Sequence, residues 1–341
     1  MPRAGSLVES DIVIFSPARV SGRSSGRLFR TGRLCAAVLC LLLSACAEFF
    51  SLSAAPLEAL AHAGFVPAQS PDFVKTLLKH GEVIAPGDVV VAGPKVATAN
   101  IYIEGDGAAW LFRIVPPRDP TPLRPVAAFL ALTDSAAVVG YVGRPCQYLS
   151  PDSLVKCNPA LWAEQRFGDD AIAMTRVAID AVLAGLPPGS RVNLIGFSGG
   201  GTLALLVAAG RTDVDCVVTI ASPLDIDAWA DSNGVARLAG SRNPADPNAA
   251  LSRLRQTHIF GAADRIVSKA AVGRYRNFSD DSSIKVFTGN RGHGDWENFW
   301  PDIRTSTCLN PSSPQISKVP SNSLVAAENG PVAALSGPHH D

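Results

Sequence analysis

Neither sign of charge is in excess in this chain of 341 residues: 30 lysines and arginines stand against 30 aspartates and glutamates. Without a basic surplus there is no electrostatic footprint for a phosphate backbone, so nucleic acid is not expected as a partner. Arginines cluster only near the start, at Arg19, Arg23, Arg27, Arg30 and Arg33. Long apolar runs are missing too. The run from Leu34 to Leu43 falls short of the roughly 20 residues that a membrane span needs. Metal-ligand spacing is absent: no histidine lies at ligand distance along the chain from Cys146, Cys157, Cys216 or Cys308, so no metal is expected, and no cofactor is expected either. What remains is an ordinary apolar share, which suits one globular domain with appended segments.

What is present begins with a leader. A basic segment, a short apolar core and the small residues of "LSAC" from Leu43 to Cys46 describe an export signal. The same four residues resemble the lipobox of bacterial lipoproteins, which implies a lipid on Cys46, the mature N-terminus there, and a membrane contact through that lipid in the cell envelope. An ordinary signal peptide, giving a secreted or periplasmic soluble protein, is the alternative. The region ahead of the apolar run is long for a signal, which leaves the start codon open. Export puts the later cysteines in an oxidising compartment. Cys146 and Cys157 bracket one loop and are expected to pair, while the pairing of Cys216 and Cys308 stays open.

Residues 1–46 are therefore leader, and 47–71 read as a tether or a loosely packed approach to a domain over 72–308. Short apolar runs at Asp88–Val91, Ala99–Ile103, Ala136–Val142, Arg191–Phe197, Val214–Ala221, Thr257–Phe260 and Ile284–Phe287 predict buried strands. Helical patterns alternate with them, most clearly Asp170–Leu186, with Ile172, Ile179, Val182, Leu183 and Leu186 on one face, and Gly199 or Gly200 to Ala209. That alternation predicts a mostly parallel α/β sheet with helices on both faces. Residues 143–169 form a long excursion carrying Tyr148, Trp162 and Phe167, and 309–341 read as a disordered tail without periodicity.

The chemistry centres on "VNLIGFSGGG", where Gly196, Ser198 and Gly200 form G-x-S-x-G between an apolar strand and an apolar helix. A sharp strand-to-helix turn strains the serine backbone and leaves no room for neighbouring side chains, so glycines flank it. A P-loop would need a lysine after these glycines, and a dinucleotide fingerprint would need glycine in place of Ser198; neither is met. Serine requires a base, and the base an orienting acid. Of six histidines, His293 in "GNRGHGDWENFW" is the candidate base, since it follows the last predicted strand; His258 begins an apolar run and reads as structural. Asp264 in "HIFGAADRIV" is the candidate acid, with Asp225 the runner-up and Asp227 its neighbour; a helix N-cap is the competing use of either. Backbone N–H groups of Gly199 and of Asp106 or Gly107 are the expected oxyanion donors.

An oxyanion turn followed by Ser, Asp and His in that chain order resembles the α/β-hydrolase family over about Asp72 to Arg304. The resemblance implies an eight-stranded, mostly parallel sheet with Ser198 as nucleophile, Asp264 as acid and His293 as base. It departs from the lipase and esterase pattern at Glu104, which stands where H-G-G-G has histidine, and at Asp106, which replaces a glycine. Both acidic side chains are expected to turn outward, toward Arg113, because a carboxylate aimed at an oxyanion would repel it. The 143–169 excursion would flank the site with Tyr148 and Trp162 as pocket walls, and Arg144 would meet an anionic substrate group or form a structural ion pair. The implied activity is an exported serine hydrolase acting on small-molecule or lipid carboxylic esters. A peptidase or amidase of the same fold, and a non-catalytic envelope lipoprotein, are the alternatives.

Overall fold

Period-two burial along the central strands sets the architecture. On the strand Arg191–Phe197, Val192 and Leu194 enter one apolar cluster while Ile195 and Phe197 enter another, so both faces are covered. The computed structural model describes residues 57–68, 73–80, 97–107, 116–279, 282–287 and 292–310, all within the unit Phe49–Asp341. Cys46 and its leader, the strand expected at 88–91, Arg113 and residues 311–341 lie outside the described residues.

The strands are β1 (Val66–Pro67), β2 (Thr76–His80), β3 (Thr98–Ile103), β4 (Val138–Val142), β5 (Arg191–Phe197), β6 (Val214–Ile220), β7 (Arg255–Gly261) and β8 (Ser283–Phe287). They form an eight-stranded sheet in the order β1-β2-β4-β3-β5-β6-β7-β8. The pairings β1 with β2 and β2 with β4 are antiparallel, and every other pairing is parallel. Helices α1 (Val126–Leu132), α2 (Asp169–Leu183), α3 (Gly199–Ala208) and α4 (Ile226–Asn233) connect them. Ile179 and Val182 of α2 and Leu203 to Ala208 of α3 pack on the face of Ile101 and Leu194. Val126 and Leu130 of α1 join Trp296 and Trp300 on the face of Tyr102 and Ile195.

Six strand expectations fall on β3 to β8 with ends shifted by a residue or two, as frayed strand termini allow. Several elements were not anticipated, β2 and α1 among them. β2 is a short strand that pairs antiparallel at the sheet's edge, and α1 is apolar throughout, so its sequence has no helical period to read. The stretch read as a tether is packed at its C-terminal end, where Leu60 and Phe65 are buried and β1 joins the sheet. Helix α2 starts from Gly168 as N-cap, with Asp169 and Asp170 in its first turn rather than capping it.

Both disulfides close within this unit. Cys146 pairs with Cys157 as expected, and Cys216 on β6 pairs with Cys308, which fastens the last described segment to a central strand.

Candidate active site

The parallel strands β3, β5, β7 and β8 all end at one edge of the sheet, and the chemistry-bearing residues follow their carboxyl ends. Ser198 stands between β5 and α3 with φ 51° and ψ −127°, a left-handed backbone that a non-glycine residue adopts only under strain. The glycines make room for that turn. A Cβ on Gly196 would run into the backbone of Gly201, and one on Gly200 into the carbonyls of Ile103 and Glu104. Local sterics thus account for G-x-S-x-G.

His293 Nε2 lies 3.0 Å from Ser198 Oγ, and His293 Nδ1 lies 2.8 Å from Asp264 Oδ2. The structure therefore brings together the three side chains singled out from sequence, across separations of 95 and 29 residues. Asp264 is buried, and its other oxygen accepts the N–H groups of Ile266 at 2.8 Å and Val267 at 2.9 Å, which fixes the carboxylate toward the imidazole. The indole of Trp296 donates to the His293 carbonyl at 2.9 Å, and Phe197 packs on the ring with centroids 5.1 Å apart. Asp225 has the other use considered for it. It caps α4 by accepting from the N–H groups of Asp227 and Ala228, and Asp227 pairs with Arg237 and Arg274 at the surface. His258 is buried away from the site, bonded to Thr219 at 2.9 Å and Gln256 at 3.1 Å; burial pushes its pKa down to about 3, so it is neutral.

The turn after β3 corrects the sequence reading. Glu104 and Asp106 do not turn outward; Glu104 is buried, and Asp106, half-buried on the cavity lining, is drawn onto two arginines. Glu104 is 1% exposed, and its carboxylate accepts from the N–H groups of Gly105, Ala127 and Ala128 and from the Tyr141 hydroxyl. Burial pushes its pKa up to about 7, with those four donors opposing the rise. Asp106 receives Arg144 Nη1 at 2.5 Å and Arg166 Nη1 at 2.9 Å. Burial works against its ionisation, but the two guanidinium groups outweigh it and hold the carboxyl below its usual range. Arg144 thus forms the structural ion pair, as one of its two expected uses. The Asp106 carboxylate also occupies the space a Cβ on Gly199 would need. Pairing with cations removes the repulsion that was expected to drive it outward.

The N–H of Gly105 is committed to Glu104, whereas those of Asp106 and Gly107 bond no acceptor among the described residues. A cavity of about 470 Å³ opens over these groups. Its walls include Arg166, Phe167, Trp229 and Leu238, with Leu123 and Ile266, each about half exposed, on its lining. Tyr148 and Trp162 are not among the lining residues. Tyr148 bonds the Tyr141 hydroxyl, and Trp162 is buried against the Cys146–Cys157 disulfide with its indole on the Pro117 carbonyl. Arg166 was missed by sequence reasoning, because nothing in local spacing links it to Asp106, 60 residues earlier.

Six parallel strands with a strained serine turn after β5 and two antiparallel strands at one edge decide the architecture. This is an α/β-hydrolase fold. No protein-family model and no curated protein matches the chain. Among solved structures, the chain is similar to an α/β serine hydrolase without a lid from Xanthomonas campestris, at 17% identity over 71% of this chain and 90% of that one, with a TM-score of 0.42. It is similar to an esterase from Pyrococcus furiosus at 16% identity, over 71% of this chain and 86% of that one, with a TM-score of 0.43. An acylaminoacyl peptidase from Pyrococcus horikoshii is 12% identical over 71% of this chain but only 39% of its own length, with a TM-score of 0.44. Among the described residues, no helix is long and apolar enough to cross a membrane, and no three His, Cys, Asp or Glu side chains gather as a metal site.

Proposed function

We propose that this α/β-hydrolase-fold chain is a serine hydrolase that cleaves carboxylic esters through an acyl-enzyme. The observation that carries the reading is the unbroken hydrogen-bonded line from Ser198 through His293 to Asp264. In this mechanism Ser198 Oγ attacks the ester carbonyl while His293 Nε2 takes its proton, and Asp264 keeps Nδ1 protonated and the ring oriented. The N–H groups of Gly199 and Asp106, with Gly107 beside them, receive the developing oxyanion. The imidazolium returns its proton to the leaving alkoxide, the alcohol departs, and water repeats the attack on the acyl group. The apolar walls of the cavity favour an uncharged acyl or alkyl group of a small ester or lipid.

The test is labelling by a fluorophosphonate and turnover of a panel of p-nitrophenyl esters and anilides, in wild type and Ser198→Ala. Labelling and ester turnover that vanish in the variant support the reading. A wild type that is neither labelled nor active would leave a non-catalytic envelope protein, and faster anilide than ester cleavage would make it an amidase.

The proposal includes export with a lipid on Cys46. Two disulfides support an oxidising compartment. Cys46→Ala should release the protein from the membrane fraction and abolish palmitate incorporation; labelling that persists in the variant rules the anchor out.

A further inference from the structure

We propose that Glu104 is a positioning residue, whose ionised carboxylate holds the 104–107 turn so that the Asp106 N–H stays directed at the oxyanion. This rests on the serine hydrolase reading and goes beyond it, because Glu104 stands where the lipase and esterase pattern has histidine.

The geometry is the argument. Four donors converge on one buried carboxylate that lines the cavity beside Ser198. Oε1 accepts the N–H groups of Gly105 at 2.8 Å and Ala127 at 3.3 Å; Oε2 accepts the N–H of Ala128 at 3.4 Å and the Tyr141 hydroxyl at 3.1 Å. Pro125, the residue that precedes α1, offers no side-chain cap, so Glu104 bonds the first amides of that helix in its place. The turn is therefore fastened to α1 from one side. From the other side, Gln147 Nε2 donates to the Gly105 carbonyl at 3.0 Å, and Arg144 and Arg166 hold the Asp106 carboxylate. The two peptide groups on either side of Gly105 are thus each tied, one at its N–H and one at its carbonyl, and the Asp106 N–H in the second of them bonds no acceptor among the described residues.

A protonated carboxyl cannot keep this arrangement. It must donate, and three of its four partners are backbone N–H groups that can only donate. Only the Tyr141 hydroxyl can turn into an acceptor, by passing its own proton toward the Tyr148 hydroxyl 3.0 Å away. Protonation therefore removes acceptor capacity from the turn and loosens it. Burial brings this event to about pH 7. The ionisable groups around Glu104 are Tyr141 on β4 and Tyr148 beyond it, both held protonated by burial, Arg144 after β4, Asp106 on the same turn with Arg166 on its carboxylate, and Arg124, Ser198 and His293 on the cavity lining. Helix α1 presents only backbone N–H groups.

The experiment compares the full-length wild type with Glu104→Gln, which mimics the neutral carboxyl, on a p-nitrophenyl ester across pH. Displacing one oxyanion donor, rather than deleting it, should lower kcat about tenfold with KM little changed, below the 100- to 1000-fold of outright removal. The wild-type to variant ratio of kcat should be about ten well above pH 7 and fall toward one well below it, where wild-type Glu104 carries the neutral carboxyl that the variant mimics. Tyr141→Phe removes a donor to the ionised form and should move this transition to higher pH. A ratio near one throughout, or a ratio that does not change with pH, overturns the proposal while leaving the hydrolase reading intact. A wild type that the fluorophosphonate does not label overturns both. If circular dichroism shows that Glu104→Gln does not fold, the Tyr141→Phe profile decides, and an unshifted transition overturns the proposal.

Discussion

At the scale of single residues, two aspartates that look alike in sequence have separate uses, and this can be measured. Asp264 spends one oxygen on the amides of Ile266 and Val267 and the other on His293. Asp225 spends both on its own surroundings: the N–H groups of Asp227 and Ala228, the Asn243 amide and the Arg274 N–H. Asp264→Asn should keep the fold and lower kcat by about 10,000-fold, because the imidazole loses its tautomer and orientation. Asp225→Ala should keep turnover per folded molecule and cost about 2 kcal/mol of stability, through the lost cap and the donors left buried. Ester kinetics and urea midpoints on the two variants check both outcomes. Serine, histidine and the acid's two candidate positions were legible because each follows the end of a strand. Sequence position favoured Asp264 and kept Asp225 as runner-up, because both follow strands and both precede helical turns; the structure has Asp264 on His293.

At the scale of elements, the Cys216–Cys308 disulfide fastens the C-terminal described segment across the sheet. Its partners there are Trp300, whose indole donates to the Tyr102 hydroxyl at 2.9 Å, and Arg304, which pairs with the buried Asp134. The bridge closes a separation of 92 residues and that of Cys146–Cys157 only 11. In the chain-entropy account the longer loop is worth about 4–5 kcal/mol and the shorter about 3 kcal/mol. The double variant Cys216→Ser, Cys308→Ser should therefore lower the urea midpoint more than Cys146→Ser, Cys157→Ser, with hydrogen exchange rising first over 292–310. Equal losses in the two variants would count against this ordering. The central strands and α2 were readable from periodicity, which is a local property. Helix α1 was not, because it lacks an apolar stripe and takes its cap from Glu104, 23 and 24 residues before the amides it bonds.

At the scale of the whole molecule, two buried groups give the stability opposite pH dependences. Glu104 has its pKa raised from 4.5 to about 7, so its contribution is fully present below pH 4.5 and is lost as pH rises through about 7. His258 has its pKa lowered from 6.5 to about 3, so its contribution is present above pH 6.5 and is lost as pH falls through about 3. Between pH 4.5 and 6.5 the two oppose each other. Denaturant unfolding across that window should be nearly flat from this pair in wild type and should slope in Glu104→Gln. The variant then loses about 1.4 kcal/mol per pH unit on acidification, the most that one uncompensated group gives. Near neighbours settle what was legible along the chain: strands β3 to β8 with α2 and α3, the glycines around Ser198, and the Cys146–Cys157 pair. Backbone sterics and apolar period act over a few residues, so they can be read in one dimension. The inward turn of Glu104 and Asp106, and the pairing of Asp106 with both Arg144 and Arg166, needed the folded chain. Those outcomes depend on where charges distant in the chain become neighbours, and burial makes each pairing favourable only once the fold has brought the partners together.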